Sequence, residues 1–245
     1  MTEISGRIQA FESCGSVDGP GLRCVVFLQG CPLRCRYCHN PDSWEQNTGK
    51  IMSVTEVMHE ILKYRHFMRF SRGGITLSGG EPLLQSDFSA ALLRQCRENH
   101  IHTVLDTAGS VPLSLAAPVL DQADLVLLDI KSIDPDNYRD LTGGDLSHTM
   151  AIAAYLGRKN IPVWLRYVLV PGLTDRLEQL ERLGLYASTM PTLERVEILP
   201  FHQIGAYKWQ ELHLPYDLAD CLEPSAENIE TARRVFTGYG LRVVV

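Results

Sequence analysis

Short β-rich runs alternate with amphipathic helical segments along most of the chain. Runs of Val, Ile and Leu bounded by turn residues predict strands, and apolar residues at helical spacing predict helices. The predicted strands are Leu22–Gln29, Gly74–Ser78, Thr103–Thr107, Leu125–Ile130, Pro162–Val170, Arg195–Leu199 and Leu241–Val245, with Gly6–Glu12 as an additional edge strand.

Helix signals lie between these strands. Ser53 and Glu56 have the spacing of a capping box, which opens a helix expected to reach about Phe70. Asp87 is expected to cap the next helix. Later helices are predicted near Thr149–Arg158, Asp175–Ser188 and Ser225–Gly238.

Alternation of strands and helices predicts a parallel sheet covered on both faces. Six such units suit a partial (β/α)6 TIM-like barrel with parallel strands, and an open doubly wound sheet is the alternative. The 245 residues contain no repeat, low-complexity tract or long linker, so residues 1–245 are expected to form a single domain. Both architectures place ligands at the carboxyl ends of the strands.

Composition and charge narrow the class of protein. The hydrophobic fraction of 45% is that of a globular protein, and a net charge of −6 without a basic block argues against a nucleic-acid partner. The N-terminal residues show no secretory signal and the apolar runs are too short to span a membrane, so a cytoplasmic protein without a membrane partner is expected. In that reducing compartment the seven cysteines are expected to include metal ligands.

Three of these cysteines, Cys31, Cys35 and Cys38, lie within eight residues directly after the first strong strand. Thiolates are soft ligands that suit iron–sulfur clusters or zinc. A [4Fe–4S] cluster normally takes four cysteines, so three leave one iron open. Such an open iron beside a substrate pocket is typical of catalysis.

The residues alone are also compatible with two other kinds of metal site. Cys35–His39 has the form of a c-type haem attachment signature, although that chemistry needs an export route and gives Cys31 no role. A structural zinc site needs a fourth ligand, and His39 adjoins Cys38 too closely to share its ion.

Polar residues follow other predicted strands. Gly79, Gly80 and Glu81 end the second strand, where glycines allow a ligand to approach the backbone and Glu81 suits an ammonium group. A plain strand–helix turn is the alternative. Asp106 and Thr107 end the third strand; a carboxylate there is costly unless paired or coordinated.

Asp129 and Lys131 end the fourth strand, and a salt bridge between them is one interpretation. Arg166 stands among apolar residues of the fifth strand and is expected to pair with a carboxylate. His202 follows the sixth strand. Since the carboxyl ends of barrel strands form one face, these residues and the cysteines are expected to share a site.

The motif C-x-x-x-C-x-x-C with an aromatic residue before its last cysteine resembles the radical S-adenosylmethionine superfamily. Further segments resemble, in order along the chain, the activating enzymes of pyruvate formate-lyase. These segments are FESCGSVDGPGLR (Phe11–Arg23), YCHNPDSW (Tyr37–Trp44), YRHFM (Tyr64–Met68), SGGEPLLQ (Ser78–Gln85), DTAG (Asp106–Gly109), LLDIK (Leu127–Lys131), WLRYVLVPG (Trp164–Gly172) and LPFHQIGAYKW (Leu199–Trp209).

The resemblance implies a [4Fe–4S] cluster on Cys31, Cys35 and Cys38. It also implies that S-adenosylmethionine is bound by the Gly-Gly-Glu motif through its amino group and by other residues, and that a monovalent cation lies near its carboxylate. The implied cofactor residues are Tyr37, His39, Gly79, Gly80, Glu81, Asp129, Ile130, Lys131, Arg166 and His202, and the implied cation ligands are Asp106, Thr107 and Asp129.

The activity implied by the resemblance is reductive cleavage of S-adenosylmethionine to methionine and a 5′-deoxyadenosyl radical, which makes a glycyl radical on pyruvate formate-lyase under anaerobic conditions. Reduced flavodoxin or ferredoxin would supply the electron. Asp18 and Gly19 lie in an irregular loop expected to touch the partner's peptide. Activation of another glycyl radical enzyme, radical chemistry on a small molecule, and a zinc-stabilised binding module are the alternatives.

Overall fold

The computed structural model describes residues 3–245, which group into two units. The first unit contains the residues before Leu33 together with Ser43–Leu127. The second contains Leu33–Asp42 and Leu128–Val245. Each unit is built of strands and helices.

The strands of the first unit are β1 (Ser5–Gly15), β2 (Arg23–Leu28), β3 (Lys50–Ser53), β4 (Gly74–Gly79) and β5 (His102–Thr107), in the order β3-β1-β2-β4-β5. β1 is antiparallel to both β2 and β3, whereas β2, β4 and β5 run parallel. The sequence did not predict β3. The strand predicted over Gly6–Glu12 is present within β1, but β3 pairs with Ser5–Ile8, so that part of β1 is not at the edge of the sheet.

The helices of the first unit are α1 (Val54–Leu62), α2 (Arg65–Ser71), α3 (Ser86–Glu98) and α4 (Leu113–Leu120). The capping box is confirmed: Glu56 N donates to Ser53 Oγ at 3.2 Å, and Ser53 N donates to Glu56 Oε2 at 2.7 Å. The helix that begins there ends at Leu62 and not near Phe70.

The prediction that Asp87 caps a helix is wrong. A short 3-10 turn, Pro82–Gln85, leads directly into α3, so Gln85 occupies the capping position and makes no side-chain cap bond. Asp87 instead lies in the first turn, where its negative charge faces the positive end of the helix dipole.

One face of the parallel strands is apolar and buried beneath helices. Cys24, Ile75 and Leu77 are fully buried, as are Leu92 and Cys96 of α3. Burying such side chains is the main stabilising contribution in a unit of this kind. Cys24 and Cys96 are therefore packed thiols.

The chain passes from the first unit into the second within β6 (Leu125–Asp129). The later elements are α5 (Pro135–Thr142), α6 (Leu146–Lys159), β7 (Val163–Leu169), α7 (Leu177–Ser188), β8 (Leu193–Pro200), α8 (Ala206–Glu211), α9 (Ala226–Gly238) and β9 (Val243–Val244). β8 pairs in parallel with both β7 and β9. The sequence did not predict α4, α5 or α8, and β9 is shorter than expected.

Strands β2, β4, β5, β6, β7 and β8 are each followed by a helical segment, which is the repeat of a partial (β/α)6 fold. The predicted α/β class with parallel strands is confirmed. Within residues 3–245 the helices are too short or too polar to cross a bilayer. The single domain over residues 1–245 stays a prediction.

Candidate active site

The carboxyl ends of β2, β4 and β5 meet at one edge of the first unit's sheet because these strands are parallel neighbours. Cys31 follows β2, Gly80 and Glu81 follow β4, and Thr107 ends β5. The backbone joins two of these ends, since Glu81 N donates to Gly30 O at 2.8 Å. These residues therefore lie at one edge of the first unit's sheet, and their role as a binding site stays a prediction.

The paired glycines bring two chain segments of the first unit together. A Cβ atom on Gly80 would lie 2.2 Å from Gly30 O, and one on Gly79 would lie 2.3 Å from Leu28 N. Gly79 also has a φ of +112°, which side chains rarely allow. The close approach that requires these glycines is therefore made by the chain's own backbone, which the sequence did not reveal.

Glu81 is buried, with 1% of its surface exposed. Its carboxylate accepts hydrogen bonds from Thr107 Oγ1 at 2.5 Å, Leu83 N at 3.2 Å, Ser110 N at 3.3 Å and Ser110 Oγ at 3.1 Å. Burial raises the pKa of Glu81, and these bonds oppose the rise. Glu81 is thus anchored inside the first unit, and Ser110 is a partner that the sequence did not indicate.

Two more predicted residues lie beside this network. Thr107 Oγ1 also accepts a hydrogen bond from Gly109 N at 2.8 Å, so its hydroxyl holds the turn after β5. Asp106 accepts a hydrogen bond from Ser78 Oγ at 2.7 Å. Both side chains therefore have bonds within the first unit.

Asp18 and Gly19 lie in the loop that precedes β2, at the amino end of that strand. Thr76 Oγ1 donates to Asp18 O at 2.7 Å, which attaches the loop to β4. Glu81 follows the carboxyl end of the same strand. The contact of Asp18 and Gly19 with a partner's peptide stays a prediction.

In the second unit, the segment Leu33–Asp42, called the cysteine loop below, is held by the end of α5. Arg34 N donates to Thr142 O at 2.7 Å, and Arg36 N donates to Leu141 O at 2.9 Å. Inside the loop, Cys38 N donates to Cys35 O at 3.0 Å. These bonds fix the backbone on which Cys35 and Cys38 stand.

The Cys35 thiol is buried, and burial raises its pKa to about 12 while the ammonium of Lys131 opposes the rise. A bare thiolate is therefore disfavoured at neutral pH, so Cys35 carries its proton unless a cation replaces it. Within residues 3–245, no group of three or more His, Cys, Asp and Glu side chains is arranged to hold a metal ion. The assignment of Cys31, Cys35 and Cys38 as ligands stays a prediction from their spacing.

His39 stacks on His202, with ring centroids 4.2 Å apart and planes inclined by 25°. His39 Nε2 also lies 3.2 Å from His202 O. Burial lowers the pKa of His39. Both histidines were predicted from sequence as cofactor residues, and the second unit brings them together.

Asp129 and Lys131 form an ion pair in the second unit, with Lys131 Nζ 2.7 Å from Asp129 Oδ2. Burial alone would lower the pKa of Lys131, but the carboxylate of Asp129 outweighs it and holds that pKa well above its usual value. The Lys131 ammonium lies 5.8 Å from the centre of the Tyr37 ring. The salt bridge considered from the sequence is therefore present.

The second oxygen of Asp129, Oδ1, is buried and has no hydrogen-bond partner in the described part of the chain. A buried carboxylate oxygen without a donor is costly unless a ligand or ion satisfies it. Asp129 thus has one oxygen held by Lys131 and one that receives no hydrogen bond from the described residues.

Arg166 of β7 pairs with Glu197 at the neighbouring position of β8, with Arg166 Nε 3.0 Å from Glu197 Oε2. Both side chains are buried. The prediction that Arg166 pairs with a carboxylate is confirmed. Arg166 O also accepts a hydrogen bond from Ile130 N at 3.2 Å, which ties the end of β6 to β7.

Comparison with known proteins decides the family. The sequence profile of the Radical SAM superfamily matches residues 25–184. The pyruvate formate-lyase 1-activating enzyme of Escherichia coli K12 is 42% identical over 245 residues, which cover 98% of this chain and 99% of that protein. The pyruvate formate-lyase-activating enzyme of Streptococcus mutans is 44% identical, over 95% of this chain and 91% of that protein.

The chain belongs to the pyruvate formate-lyase-activating enzymes of the radical SAM superfamily. Radical SAM enzymes use a [4Fe–4S] cluster and S-adenosylmethionine, so these are its cofactors. The fold agrees: a radical SAM methyltransferase from Sphaerobacter thermophilus superposes with a TM-score of 0.68 at 17% identity, over 94% of this chain and 70% of that one. The resemblance recognised in the sequence is confirmed.

Most of the polar residues described above fall within the part of the chain that matches this family. The radical SAM profile includes all three clustered cysteines, the Gly-Gly-Glu motif and the Asp129–Lys131 pair. His202 lies beyond the matched residues 25–184, but within the similarity to the activating enzymes. Ser110 and Glu197 were not predicted from the sequence. Their roles become visible only from their contacts, which are with the Glu81 carboxylate for Ser110 and with the Arg166 guanidinium for Glu197.

Proposed function

We propose that this chain activates pyruvate formate-lyase by forming a glycyl radical on it under anaerobic conditions, at the expense of S-adenosylmethionine. One observation carries the proposal: the similarity to activating enzymes extends over 98% of the chain at 42% identity. Similarity confined to the cysteine motif would have supported the superfamily alone. Pyruvate formate-lyase is therefore the proposed protein substrate.

Cys31, Cys35 and Cys38 are the proposed ligands of the [4Fe–4S] cluster. Three thiolates would leave one iron of the cluster without a protein ligand, and S-adenosylmethionine would bind there. Thiolates are soft ligands that suit iron, and Cys35 and Cys38 stand on one loop whose backbone is closed by the hydrogen bond from Cys38 N to Cys35 O at 3.0 Å. The donor set thus fits the cluster.

The Gly-Gly-Glu motif of the first unit is proposed to bind S-adenosylmethionine. Gly79 and Gly80 offer backbone groups, and Glu81 gives the segment a fixed conformation through its four hydrogen bonds. The buried Oδ1 of Asp129 suits an ammonium group or a monovalent cation. The remaining proposed cofactor residues are Tyr37, His39, Ile130, Lys131, Arg166 and His202, and Asp106 and Thr107 are proposed to assist with the cation.

When bound, the cluster supplies the electron that splits S-adenosylmethionine. The chain's own residues orient the cofactor and exclude water, since a reactive species in bulk solvent would be quenched. Lys131, held by Asp129, places a positive charge close to Cys35 and Tyr37. The ion pairs Asp129–Lys131 and Arg166–Glu197 keep their charged groups fixed before any ligand arrives.

The electron donor is proposed to be reduced flavodoxin or ferredoxin, and the compartment is proposed to be the cytoplasm, where thiols stay reduced and able to bind iron. The loop of Asp18 and Gly19 is proposed to touch the partner's peptide. We further propose that residues 1–245 act as one functional domain, since the radical SAM match, residues 25–184, takes in residues of both units.

An anaerobic assay tests this function. The protein is reconstituted with iron and sulfide, reduced with dithionite, and mixed with S-adenosylmethionine with and without pyruvate formate-lyase. Deoxyadenosine released in proportion to the pyruvate formate-lyase added is expected. A colourless protein with one bound zinc ion would contradict the assignment to radical chemistry. Deoxyadenosine release that is unaffected by pyruvate formate-lyase would remove the proposed partner.

A further inference from the structure

The segment after β8, His202–Trp209, makes more contacts with the cysteine loop than a cofactor-binding role for His202 explains. Lys208 Nζ donates to Asn40 Oδ1 at 2.8 Å and lies 3.0 and 3.1 Å from the two carboxylate oxygens of Asp42. Trp209 Nε1 donates to Cys38 O at 2.9 Å. Two consecutive residues of α8 thus hold the loop on both sides of His39.

Steric contacts support the same attachment. A Cβ atom on Gly205 would lie 2.7 Å from His39 Cα, so α8 begins directly against the loop backbone. Trp209 is buried and packs on Tyr216, with ring centroids 5.0 Å apart. The indole therefore has a fixed position from which to donate to Cys38 O.

The contacts of Lys208 are charged and partly shielded from solvent. The side chain of Lys208 is 20% exposed and meets both an amide oxygen and a full carboxylate. Hydrogen bonds of charged groups are stronger than those of neutral groups, and partial burial reduces their screening by salt. With α5 holding Arg34 and Arg36, the anchors on Cys38, Asn40 and Asp42 fix the loop at both ends.

We propose that Lys208 and Trp209 are positioning residues for the [4Fe–4S] cluster, and that they hold the cysteine loop so that Cys35 and Cys38 are arranged to retain it. The inference rests on the proposed cluster ligands. Neither residue contacts iron in this account; both act through the loop backbone and the side chains that follow Cys38. Groups that orient metal ligands typically change metal affinity by about 10- to 100-fold when they are removed.

The test measures cluster retention. Reconstituted protein is exposed anaerobically to an iron chelator, and the loss of the cluster absorbance is followed for Lys208→Ala, Trp209→Phe and the parent. We expect each variant to lose the cluster about tenfold faster than the parent. Lys208→Arg keeps the positive charge and should restore most of the retention.

Matched controls separate positioning from general damage. Lys63→Ala removes a lysine that pairs with Glu60 at 2.7 Å on a surface helix, and Trp164→Phe removes a buried indole that donates to Glu194 at 2.8 Å. Both should retain the cluster as the parent does. The electron paramagnetic resonance spectrum of the reduced cluster, and its change when S-adenosylmethionine is added, should be altered in Lys208→Ala and Trp209→Phe alone.

If Lys208→Ala and Trp209→Phe match the two controls in cluster retention and in spectra, the positioning role is overturned. Where Lys208→Ala does not fold, Trp209→Phe and Lys208→Arg decide the outcome by the same two measurements. A parent that takes up no iron would overturn the proposed function itself. A parent that holds the cluster while the variants match the controls would overturn the positioning role alone.

Discussion

Thr107 Oγ1 donates a hydrogen bond of 2.5 Å to Glu81 Oε1, joining the end of β5 to the residue that follows β4. Both side chains are buried. The carboxylate of the Gly-Gly-Glu motif is therefore part of the framework of the first unit, whatever ligand its neighbours bind. Its contribution can be measured on the protein without cofactors.

Thr107→Val removes this hydroxyl and keeps the shape of the side chain. Glu81 loses a donor and Gly109 N loses its acceptor, so the free energy of unfolding should fall by about 2 kcal/mol in urea titrations without cofactors. Thr237→Val is the control, because that exposed hydroxyl bonds only to carbonyls of its own helix. Equal and small changes in the two variants would show that the Glu81 network contributes little.

Glu81→Gln should change how stability depends on pH. Burial raises the pKa of Glu81, so the folded state holds its proton more tightly than the unfolded state does. The stability of the parent relative to the variant is thus greatest below the ordinary glutamate pKa and falls as pH rises through the raised value. Urea titrations of both proteins across this range measure it. A relative stability that rises with pH would contradict the burial argument.

Gly80→Ala should destabilise the first unit. Its Cβ would meet Gly30 O at 2.2 Å, and a backbone carbonyl cannot swing away as a side chain can. Overpacking of this kind costs about 1–3 kcal/mol, and thermal unfolding without cofactors would register it as a lower midpoint. Gly238→Ala, where no described atom beyond the chain neighbours and the backbone of α9 lies within 4 Å of the added atom, should leave the midpoint unchanged or slightly higher.

Asp129→Asn should destabilise the second unit by leaving Lys131 buried beside a neutral amide. Breaking a buried pair by removing one partner costs about 3–5 kcal/mol of stability. Because both side chains are partly exposed, we expect Asp129→Asn to lower the free energy of unfolding by about 3 kcal/mol or less. The double variant Asp129→Asn with Lys131→Met should recover part of the loss in the same urea titration. A double variant less stable than either single variant would contradict the pairing.

Elements encoded locally could be predicted from the sequence. Ser53 and Glu56 are three residues apart, and their capping box forms as expected. The parallel strands follow from runs of apolar residues, and their carboxyl ends identify most of the polar residues discussed above. Asp134 before Pro135 is a helix-start signal that would also have identified α5.

Features that depend on distant partners could not be predicted. Lys208 contacts Asn40, which is 168 positions away in the sequence. The residues next to Lys208 in the sequence do not indicate this partner. The 3-10 turn before α3 made Asp87 a first-turn residue in place of a cap. Glu81 was expected to face an ammonium group, and its four hydrogen bonds within the first unit became visible only in the fold.

Cys31, Cys35 and Cys38 are the proposed ligands of the cluster with which this chain forms a glycyl radical on pyruvate formate-lyase. Electron paramagnetic resonance of pyruvate formate-lyase, after anaerobic incubation with the reduced protein and S-adenosylmethionine, tests this assignment directly. The parent and Cys96→Ala, which alters a packed thiol beside Met58, should both give the glycyl radical signal. Cys31→Ala, Cys35→Ala and Cys38→Ala should each give none. A full signal from any of these three variants, or no signal from the parent with its cluster in place, would contradict the account.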